Sequence, residues 1–255
     1  MAFLFLLLSV AWAESAISQA GLPVENVDYV ITDFTTGQVV EEHWREPQTA
    51  SPGSLLKPFT ALAYGRKNGL IFPELNCTGE TCWLPSGHGQ VGIVQAIAHS
   101  CNAYFRQLAI SVSPVEVGFE ASRLGLRAPP PNSRSESLWG LRADWLATPH
   151  EVLRSYMELV QRSSEPGAFI VLQGLRRAAR EGTAAALATR LPQDAYAKTG
   201  TAECAHVLNA DGDGFAVAVY PADAPRYAVI TRVHGQTGRV AAGAAGALLH
   251  ALTTR

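Results

Sequence analysis

The sequence predicts an α+β fold, in which one antiparallel five-stranded sheet is flanked by helices and joined by a helical lobe. Segments rich in β-branched and aromatic residues lie near both ends of the chain, and helical patterns fill the middle. Short turn sequences connect neighbouring strands, which favours antiparallel pairing. Helices must then pack on the sheet, and the central helices are left to form the second lobe.

Five strands are predicted from short β-rich runs and from the turns that bound them. A hairpin covers residues 29–42 around Thr35-Thr36-Gly37. Three further strands cover residues 195–199, 215–220 and 227–233, and turn sequences separate them from one another.

Helical patterns cover residues 55–64, 90–111, 149–162, 168–190 and 240–252. Pro52-Gly53 breaks the chain before the first pattern, so Ser54 is predicted at a helix N-terminus. Ser100 lies near an interruption of the second pattern. Thr148 is a predicted N-cap, with Pro149 as the first helical residue.

The composition indicates a globular protein that does not bind nucleic acid. Of the 255 residues, 47% are hydrophobic and 16% are charged, which suits one domain with a sizeable core. The net charge is −2, and no basic stripe is present. Nucleic acid is therefore not an expected partner.

The first thirteen residues differ from the rest of the chain. An apolar run precedes Ala11-Trp12-Ala13, a small-x-small pattern typical of signal-peptide cleavage sites. We predict a signal peptide over residues 1–13 and a single domain over residues 14–255. The segment lacks the usual basic residues, and a buried N-terminal strand or helix is the alternative. No second apolar run approaches the ~20 residues of a spanning helix, so no further membrane anchor is expected.

Three short motifs follow one another along the chain: Ser54-Leu55-Leu56-Lys57, Ser100-Cys101-Asn102 and Lys198-Thr199-Gly200-Thr201. Two of the chain's three lysines occupy motif positions, whereas its seventeen arginines supply the other basic charges. Lysine can give up a proton and arginine cannot. Each motif alone is common, but the order and wide spacing of all three predict one site.

The first two motifs supply a nucleophile and the groups that move its proton. Ser54 and Lys57 lie three residues apart on a predicted helix, which places the hydroxyl and the amine on one face. A neutral Lys57 can take the serine proton, and burial beside Lys198 is expected to lower its pKa. Ser100 is predicted to relay a proton to a leaving amine. Asn102 is predicted to bond both Lys57 and a substrate carbonyl.

The third motif is predicted to bind the substrate. Lys198 supplies positive charge for a substrate carboxylate, and Thr199 and Thr201 offer it hydroxyl groups. Gly200 allows close approach along the strand edge. The amides of Ser54 and Thr201 are predicted oxyanion donors, each contributing roughly 3 kcal/mol to transition-state stabilisation.

Four cysteines follow the predicted signal peptide. Cys77 and Cys82 flank a short loop, and in an oxidising compartment we predict a disulfide between them. The alternative is a metal site with His88 as third ligand, but no fourth ligand is evident, so no metal is predicted. Cys101 and Cys204 are interpreted as free, buried thiols.

The segments that contain the motifs resemble penicillin-binding protein transpeptidase domains. Residues 51–60 read Ser-Pro-Gly-Ser-Leu-Leu-Lys-Pro-Phe-Thr, which is similar to the family's nucleophile segment. Residues 87–89, 98–105 and 198–202 resemble other family segments, as does the helix after Thr148 that contains Tyr156. The resemblance covers residues 27–250 and implies a β-lactamase/transpeptidase-like fold for the catalytic domain. It carries the catalytic and substrate-binding roles to Ser54, Lys57, Ser100, Asn102, Lys198, Thr199 and Thr201.

The same resemblance implies a function. It predicts an acyl-serine DD-transpeptidase or DD-carboxypeptidase that acts on the D-Ala-D-Ala ends of peptidoglycan stem peptides and binds β-lactams. It also implies a periplasmic or secreted location, partners in a cell-wall synthesis complex, and no cofactor.

Two other functions use these motifs. A serine β-lactamase needs a further base to activate water. Pro73-Glu74-Leu75-Asn76 echoes one such element, but it precedes Ser100 and has Phe72 at the glutamate position. A non-enzymatic domain that binds β-lactams, or serves as a scaffold in wall synthesis, is the third interpretation.

Overall fold

The computed structural model describes residues 15–45, 48–203 and 212–254. Its strands are β1 (Val27–Asp33), β2 (Val39–His43), β3 (Leu75–Cys77), β4 (Gly89–Val91), β5 (Tyr196–Ala202), β6 (Asp213–Tyr220) and β7 (Tyr227–Val233). Its helices are α1 (Ala16–Gln19), α2 (Lys57–Lys67), α3 (Ile93–Ala98), α4 (Asn102–Ala109), α5 (Pro114–Arg123), α6 (Ser135–Leu138), α7 (Pro149–Gln161), α8 (Pro166–Glu181), α9 (Ala185–Ala188) and α10 (Gly238–Thr253). A 3₁₀ turn, Gly53–Leu56, leads into α2.

Five strands form one antiparallel sheet in the order β2-β1-β7-β6-β5, and β3 and β4 form a separate small pair. The predicted α+β fold with a five-stranded sheet is confirmed. β5 lies at one edge of this sheet. The third motif, which β5 contains, is therefore paired on one side only and is open to the helical lobe on the other.

The sheet separates two hydrophobic cores. Every residue of β6 is buried, and its side chains alternate between the two faces, as strand geometry requires. Phe215, Val217 and Val219 join the core shared with the helical lobe. Ala216, Ala218 and Tyr220 join the core beneath α10. The small side chains on this second face let α10 pack closely against the sheet.

The predicted helices are mostly confirmed, with two corrections. The pattern over residues 90–111 is not one helix: β4 comes first, and α3 and α4 are separated at Ser100. The pattern over residues 168–190 divides into α8 and α9, because Gly182 has an extended backbone at the end of α8. Thr148 is the N-cap of α7, as predicted, and Glu151 completes a capping box.

The N-terminal prediction is not tested by the structure. The predicted signal peptide, residues 1–13, lies outside the described residues, and so does Cys204. In the described part of the chain, no helix has the length and apolarity that a bilayer crossing requires.

Candidate active site

The three motifs meet at one cleft between the sheet and the helical lobe. The cleft has a volume of about 530 Å³, within the range of small-molecule sites. Its described lining consists of Ser54, Trp83, Ser100, Asn102, Thr183, Thr199, Gly200, Thr201, Thr237, Gly238 and Arg239. The structure therefore brings six of the eight predicted site residues to one surface. The other two, Lys57 and Lys198, lie behind it.

The nucleophile candidate lies on a tight turn. Gly53 has a φ of +56°, a left-handed conformation that favours glycine, so the chain turns sharply before Ser54. A Cβ atom on Gly53 would lie 2.5 Å from the carbonyl oxygen of Thr201. The turn is held from behind, because Tyr156 Oη donates a hydrogen bond to the Leu55 carbonyl at 2.8 Å. Ser54 is consequently half-buried and faces the cleft.

Lys57 lies at the centre of the site and is fully buried. Its Nζ donates to the Ser100 carbonyl at 2.7 Å, to Ser100 Oγ at 3.0 Å and to Asn102 Oδ1 at 2.6 Å. Among the described residues, no hydrogen bond joins Ser54 Oγ to this amine. Catalytic hydrogen bonds are often long before substrate binds, so the geometry is compatible with proton transfer.

The environment of Lys57 favours its neutral form. Burial lowers the pKa of Lys57 to about 7, and nearby Cys101 and Cys82 oppose the shift in part. A lowered pKa of Lys57 was predicted, and this environment agrees with it. The main cause of the lowered pKa is burial of the amine, however, and not the charge of Lys198.

Ser100 has an uncommon backbone conformation. Its φ of +53° lies in the left-handed region, where a residue with a side chain is strained by about 1–3 kcal/mol. This conformation breaks the helical pattern between α3 and α4. Ser100 Oγ consequently receives hydrogen bonds from both lysines, Lys57 at 3.0 Å and Lys198 at 2.9 Å.

Lys198 does not line the cleft. Its side chain is fully buried, and Nζ donates to Ser100 Oγ and, at 2.8 Å, to the Thr199 carbonyl. Burial lowers the pKa of Lys198 well below its usual value, and the charge of Lys57 lowers it further. Lys198 therefore contacts Ser100 behind the cleft, whereas Thr199 and Thr201 line its surface.

The threonines of β5 are fixed by neighbouring segments. Thr199 Oγ1 donates to Thr183 Oγ1 at 2.6 Å, and Thr201 Oγ1 accepts the Gly238 N–H at 3.2 Å. A Cβ on Gly200 would lie 2.3 Å from the Pro52 carbonyl oxygen. Gly200 is therefore required where β5 packs against the turn that precedes Ser54.

Five cleft residues were not predicted from the sequence: Trp83, Thr183, Thr237, Gly238 and Arg239. Trp83 is half-exposed and donates its Nε1 hydrogen to the His99 carbonyl at 3.1 Å. None of the five lies within one of the three motifs. Only their position beside the motifs in space identifies them.

The predicted disulfide between Cys77 and Cys82 is wrong. Both cysteines are free thiols, and so is Cys101, as predicted. The loop after β3 turns the sulfurs of Cys77 and Cys82 towards His88 Nδ1, at 3.6 and 3.4 Å. Cys82 Sγ also lies 3.9 Å from Cys101 Sγ. Cys101 is thus the fourth potential ligand that the sequence analysis did not find.

Comparisons with solved structures agree with this fold. Pseudomonas aeruginosa PBP2, solved in complex with WCK 5153, aligns with 93% of this chain and 76% of its own, at 17% identity and a TM-score of 0.77. The transpeptidase domain of Burkholderia pseudomallei penicillin-binding protein 3 aligns with 94% of this chain and 90% of its own, at 19% identity and a TM-score of 0.73. Helicobacter pylori PBP2, solved in complex with MreC, aligns with 90% of this chain and 60% of its own, at 16% identity and a TM-score of 0.74.

These solved structures share the fold of the chain at low sequence identity. No curated protein sequence matches it. The family model described as "Penicillin binding protein transpeptidase domain" matches residues 43–253, which is most of the chain and includes all three motifs. The chain therefore belongs to the penicillin-binding protein transpeptidase domain family.

Proposed function

We propose that this protein is an acyl-serine enzyme that acts on the D-Ala-D-Ala ends of peptidoglycan stem peptides. One observation carries the proposal: a single Ser100 hydroxyl accepts hydrogen bonds from both motif lysines beside the cleft that Ser54 faces. Three distant segments of the chain thus supply one proton-transfer network. The family assignment supports the same reaction class.

In the proposed acylation, Ser54 Oγ attacks the carbonyl carbon of the penultimate D-Ala. Neutral Lys57 takes the serine proton as the C–O bond forms. The amides of Ser54 and Thr201 are proposed to bind the developing oxyanion. The C–N bond then breaks, and the proton passes from Lys57 through Ser100 to the nitrogen of the leaving D-Ala.

The substrate carboxylate is proposed to bind along β5. Thr199 and Thr201 offer hydroxyl groups to it, and Arg239 supplies an exposed cation at the same end of the cleft. Lys198 lies behind these groups and supports Ser100 instead of contacting the substrate. Asn102 Oδ1 accepts a hydrogen bond from Lys57, and its amide nitrogen is proposed to donate to a carbonyl of the stem peptide.

The acyl group then passes to an amine of a second stem peptide or to water. Among the described residues that line the cleft, none is an aspartate or a glutamate. Glu74, in the lactamase-like echo, is not one of the lining residues. Because the described lining holds no carboxylate to activate water as the lactamase element does, this surface favours a DD-acyltransferase over an efficient β-lactamase.

The proposed substrate implies where the protein acts and which partners it has. Stem peptides are cross-linked outside the cytoplasmic membrane, so the protein acts in the periplasm or is secreted. The Helicobacter pylori relative was solved as a complex with MreC. By analogy, we propose that this protein also works within a cell-wall synthesis complex.

Labelling with a fluorescent penicillin tests the nucleophile. Native protein is expected to form a stable covalent adduct on Ser54, located by peptide mass spectrometry, and Ser54→Ala is expected to form none. Ser122→Ala, an exposed serine on α5, is the matched control and should label normally. An adduct on another residue of native protein, or fast loss of label, would contradict the proposal.

Product analysis on a pentapeptide substrate identifies the acceptor. A cross-linked dimer indicates transpeptidase activity, whereas a tetrapeptide with release of D-Ala indicates a carboxypeptidase. Neither product, together with penicillin labelling, would favour the non-enzymatic alternative.

A further inference from the structure

Three thiols and one imidazole meet immediately beside the active site. The Sγ atoms of Cys77, Cys82 and Cys101 and a ring nitrogen of His88 all lie within 4.8 Å of one another. Cys77 and Cys101 are buried, and Cys82 and His88 are half-buried. These residues come from β3, from the loop between β3 and β4, and from the segment between α3 and α4. This group is called the Cys₃His cluster below.

We propose that the Cys₃His cluster binds one zinc ion, which positions the Ser100-Cys101-Asn102 segment for catalysis. The first half of this inference is independent of the proposed function. The second half rests on the proposed function, because it concerns the rate of acylation.

Three of the six separations between the donor atoms match tetrahedral zinc, and all six lie within 4.8 Å. With Zn–S distances near 2.3 Å and Zn–N distances near 2.0 Å, ligand sulfurs are ~3.8 Å apart and sulfur and nitrogen are ~3.5 Å apart. The observed separations are 3.9 Å for Cys82 and Cys101, and 3.6 and 3.4 Å from His88 Nδ1 to Cys77 and Cys82. Three thiolates and an imidazole form a closed, four-ligand set, which is typical of structural zinc and leaves no position for a catalytic water.

The surrounding groups suit bound thiolates. The backbone N–H groups of Leu84, Asn102 and Ala103 lie near the Cys82 sulfur, and the last two belong to the first turn of α4. Such donors, and the positive end of a helix, stabilise a negative sulfur. The His88 ring packs between Trp83 and His99, at centroid distances of 5.4 and 5.7 Å, which holds it near the sulfurs.

The segment between Cys77 and His88 has little else to hold it together. β3 and β4 have three residues each, and much of the intervening loop is exposed. Gly79 and Gly87 have positive φ angles, and a Cβ on either would lie 2.0–2.1 Å from a backbone oxygen across the loop. The loop is thus tightly folded without a hydrophobic core. A metal ion supplies the missing cross-link, as it does in small metal-stabilised domains.

The proposed effect on catalysis follows from the position of Cys101. It lies between Ser100, whose backbone is strained, and Asn102, which begins α4. Both neighbours are hydrogen-bonded to Lys57. A metal ion on Cys101 would oppose relaxation of the strained segment. The same ion would hold the loop that places Trp83 in the cleft.

Metal content tests the first half of the inference. Full-length protein purified without chelator is expected to contain one zinc per chain by elemental analysis. X-ray absorption should give Zn–S distances near 2.3 Å. His88→Gln is expected to lose the zinc, whereas His250→Gln, which changes an exposed histidine on α10, should keep it.

The proposed role of the zinc in catalysis is tested by a pair of variants, only one of which has a side chain that binds zinc well. Aspartate can bind zinc through a carboxylate oxygen, whereas asparagine of nearly the same shape is a poor ligand. Cys82→Asp is expected to retain zinc and the native rate of acylation by fluorescent penicillin. Cys82→Asn is expected to lose zinc and to acylate at least tenfold more slowly. A role limited to side-chain packing would not separate the two variants.

The outcomes distinguish this inference from the proposed function. A Cys77–Cys82 disulfide in the native protein, or reduced protein that binds no added zinc, would overturn the metal site. Equal acylation rates with and without zinc would overturn the positioning role alone. Zinc-loaded protein that forms no penicillin adduct would leave the metal site standing and overturn the proposed function.

Discussion

The two walls of the cleft are held in place by different interactions. The strand wall, residues 198–201 of β5, is fixed by backbone pairing with β6 and by close backbone contacts at Gly200 and Gly238. The helical wall, residues 54–57 and 100–102, is fixed by buried polar side chains. Its central contacts are the hydrogen bonds from Lys57 to Ser100 and Asn102.

This difference indicates which changes each wall tolerates. On the strand wall, an added methyl group at a glycine displaces backbone, because the opposing atoms are backbone carbonyls that cannot rotate away. On the helical wall, a change of protonation or of a single side-chain atom leaves buried polar groups without partners, which is costly in a low-dielectric interior. The following predictions test the two walls separately, beginning with the largest expected effect.

On the helical wall, replacing the buried Lys57 should lower the rate of acylation most. Lys57→Arg keeps a positive charge but cannot accept the serine proton, so acylation should fall by about 10²- to 10⁴-fold. The rate of adduct formation with fluorescent penicillin measures this. Lys67→Arg, at the exposed end of the same helix, is the matched control and should acylate normally. A Lys57→Arg variant that folds and acylates at the native rate would remove Lys57 as the base.

A single methyl group should disrupt the strand wall. Gly200→Ala would place Cβ 2.3 Å from the Pro52 carbonyl oxygen and would push the Ser54 turn out of position. Displacement of a reacting group by about 1 Å can cost about 100-fold in rate, which is the expected loss of acylation. Gly243→Ala is the control, because its nearest neighbour is 3.9 Å away and alanine favours a helix. Similar rates in the two variants would show that the contact is not needed.

The pH dependence of acylation should follow Lys57. Its pKa is lowered to about 7, so the neutral base predominates above that pH and the protonated cation below it. The rate should therefore be level in mild alkali and fall about tenfold per unit as the pH drops below the pKa. Stopped-flow acylation across this range measures the profile. A rate that rises on acidification would exclude a neutral lysine as the base.

Removing one hydroxyl behind the nucleophile should have the smallest effect. Tyr156→Phe keeps the ring that packs against Phe59, but leaves the buried Leu55 carbonyl without its donor. The free energy of unfolding should fall by about 1–2 kcal/mol, measured by denaturant titration. Acylation should change less than threefold, since Lys57 and Ser100 are untouched. A loss of acylation rate as large as that expected for Gly200→Ala would mean that the Tyr156 hydroxyl positions Ser54 directly.

Much of the site was predictable because its chemistry is local in sequence. The spacing of Ser54 and Lys57 on one turn, and the need for glycine before the turn, follow from short-range geometry. The buried position of Lys198 was not predictable, because it depends on how β5 meets Ser100, ninety-eight residues away. The fourth potential ligand of the Cys₃His cluster was missed for the same reason: Cys101 is close to Cys82 only in the folded chain.

The sequence by itself determined the five strands of the main sheet, the helices α2, α7 and α10, the three motifs and the resemblance to the family, since each depends on residue type and near-neighbour spacing. Only the tertiary structure decided which lysine contacts which serine, that Ser100 is held in a left-handed conformation, and that Cys77 and Cys82 face a histidine instead of each other. Those features depend on contacts between segments that the sheet and the helical lobe bring together. Such contacts are set by packing, and local sequence preference does not encode them.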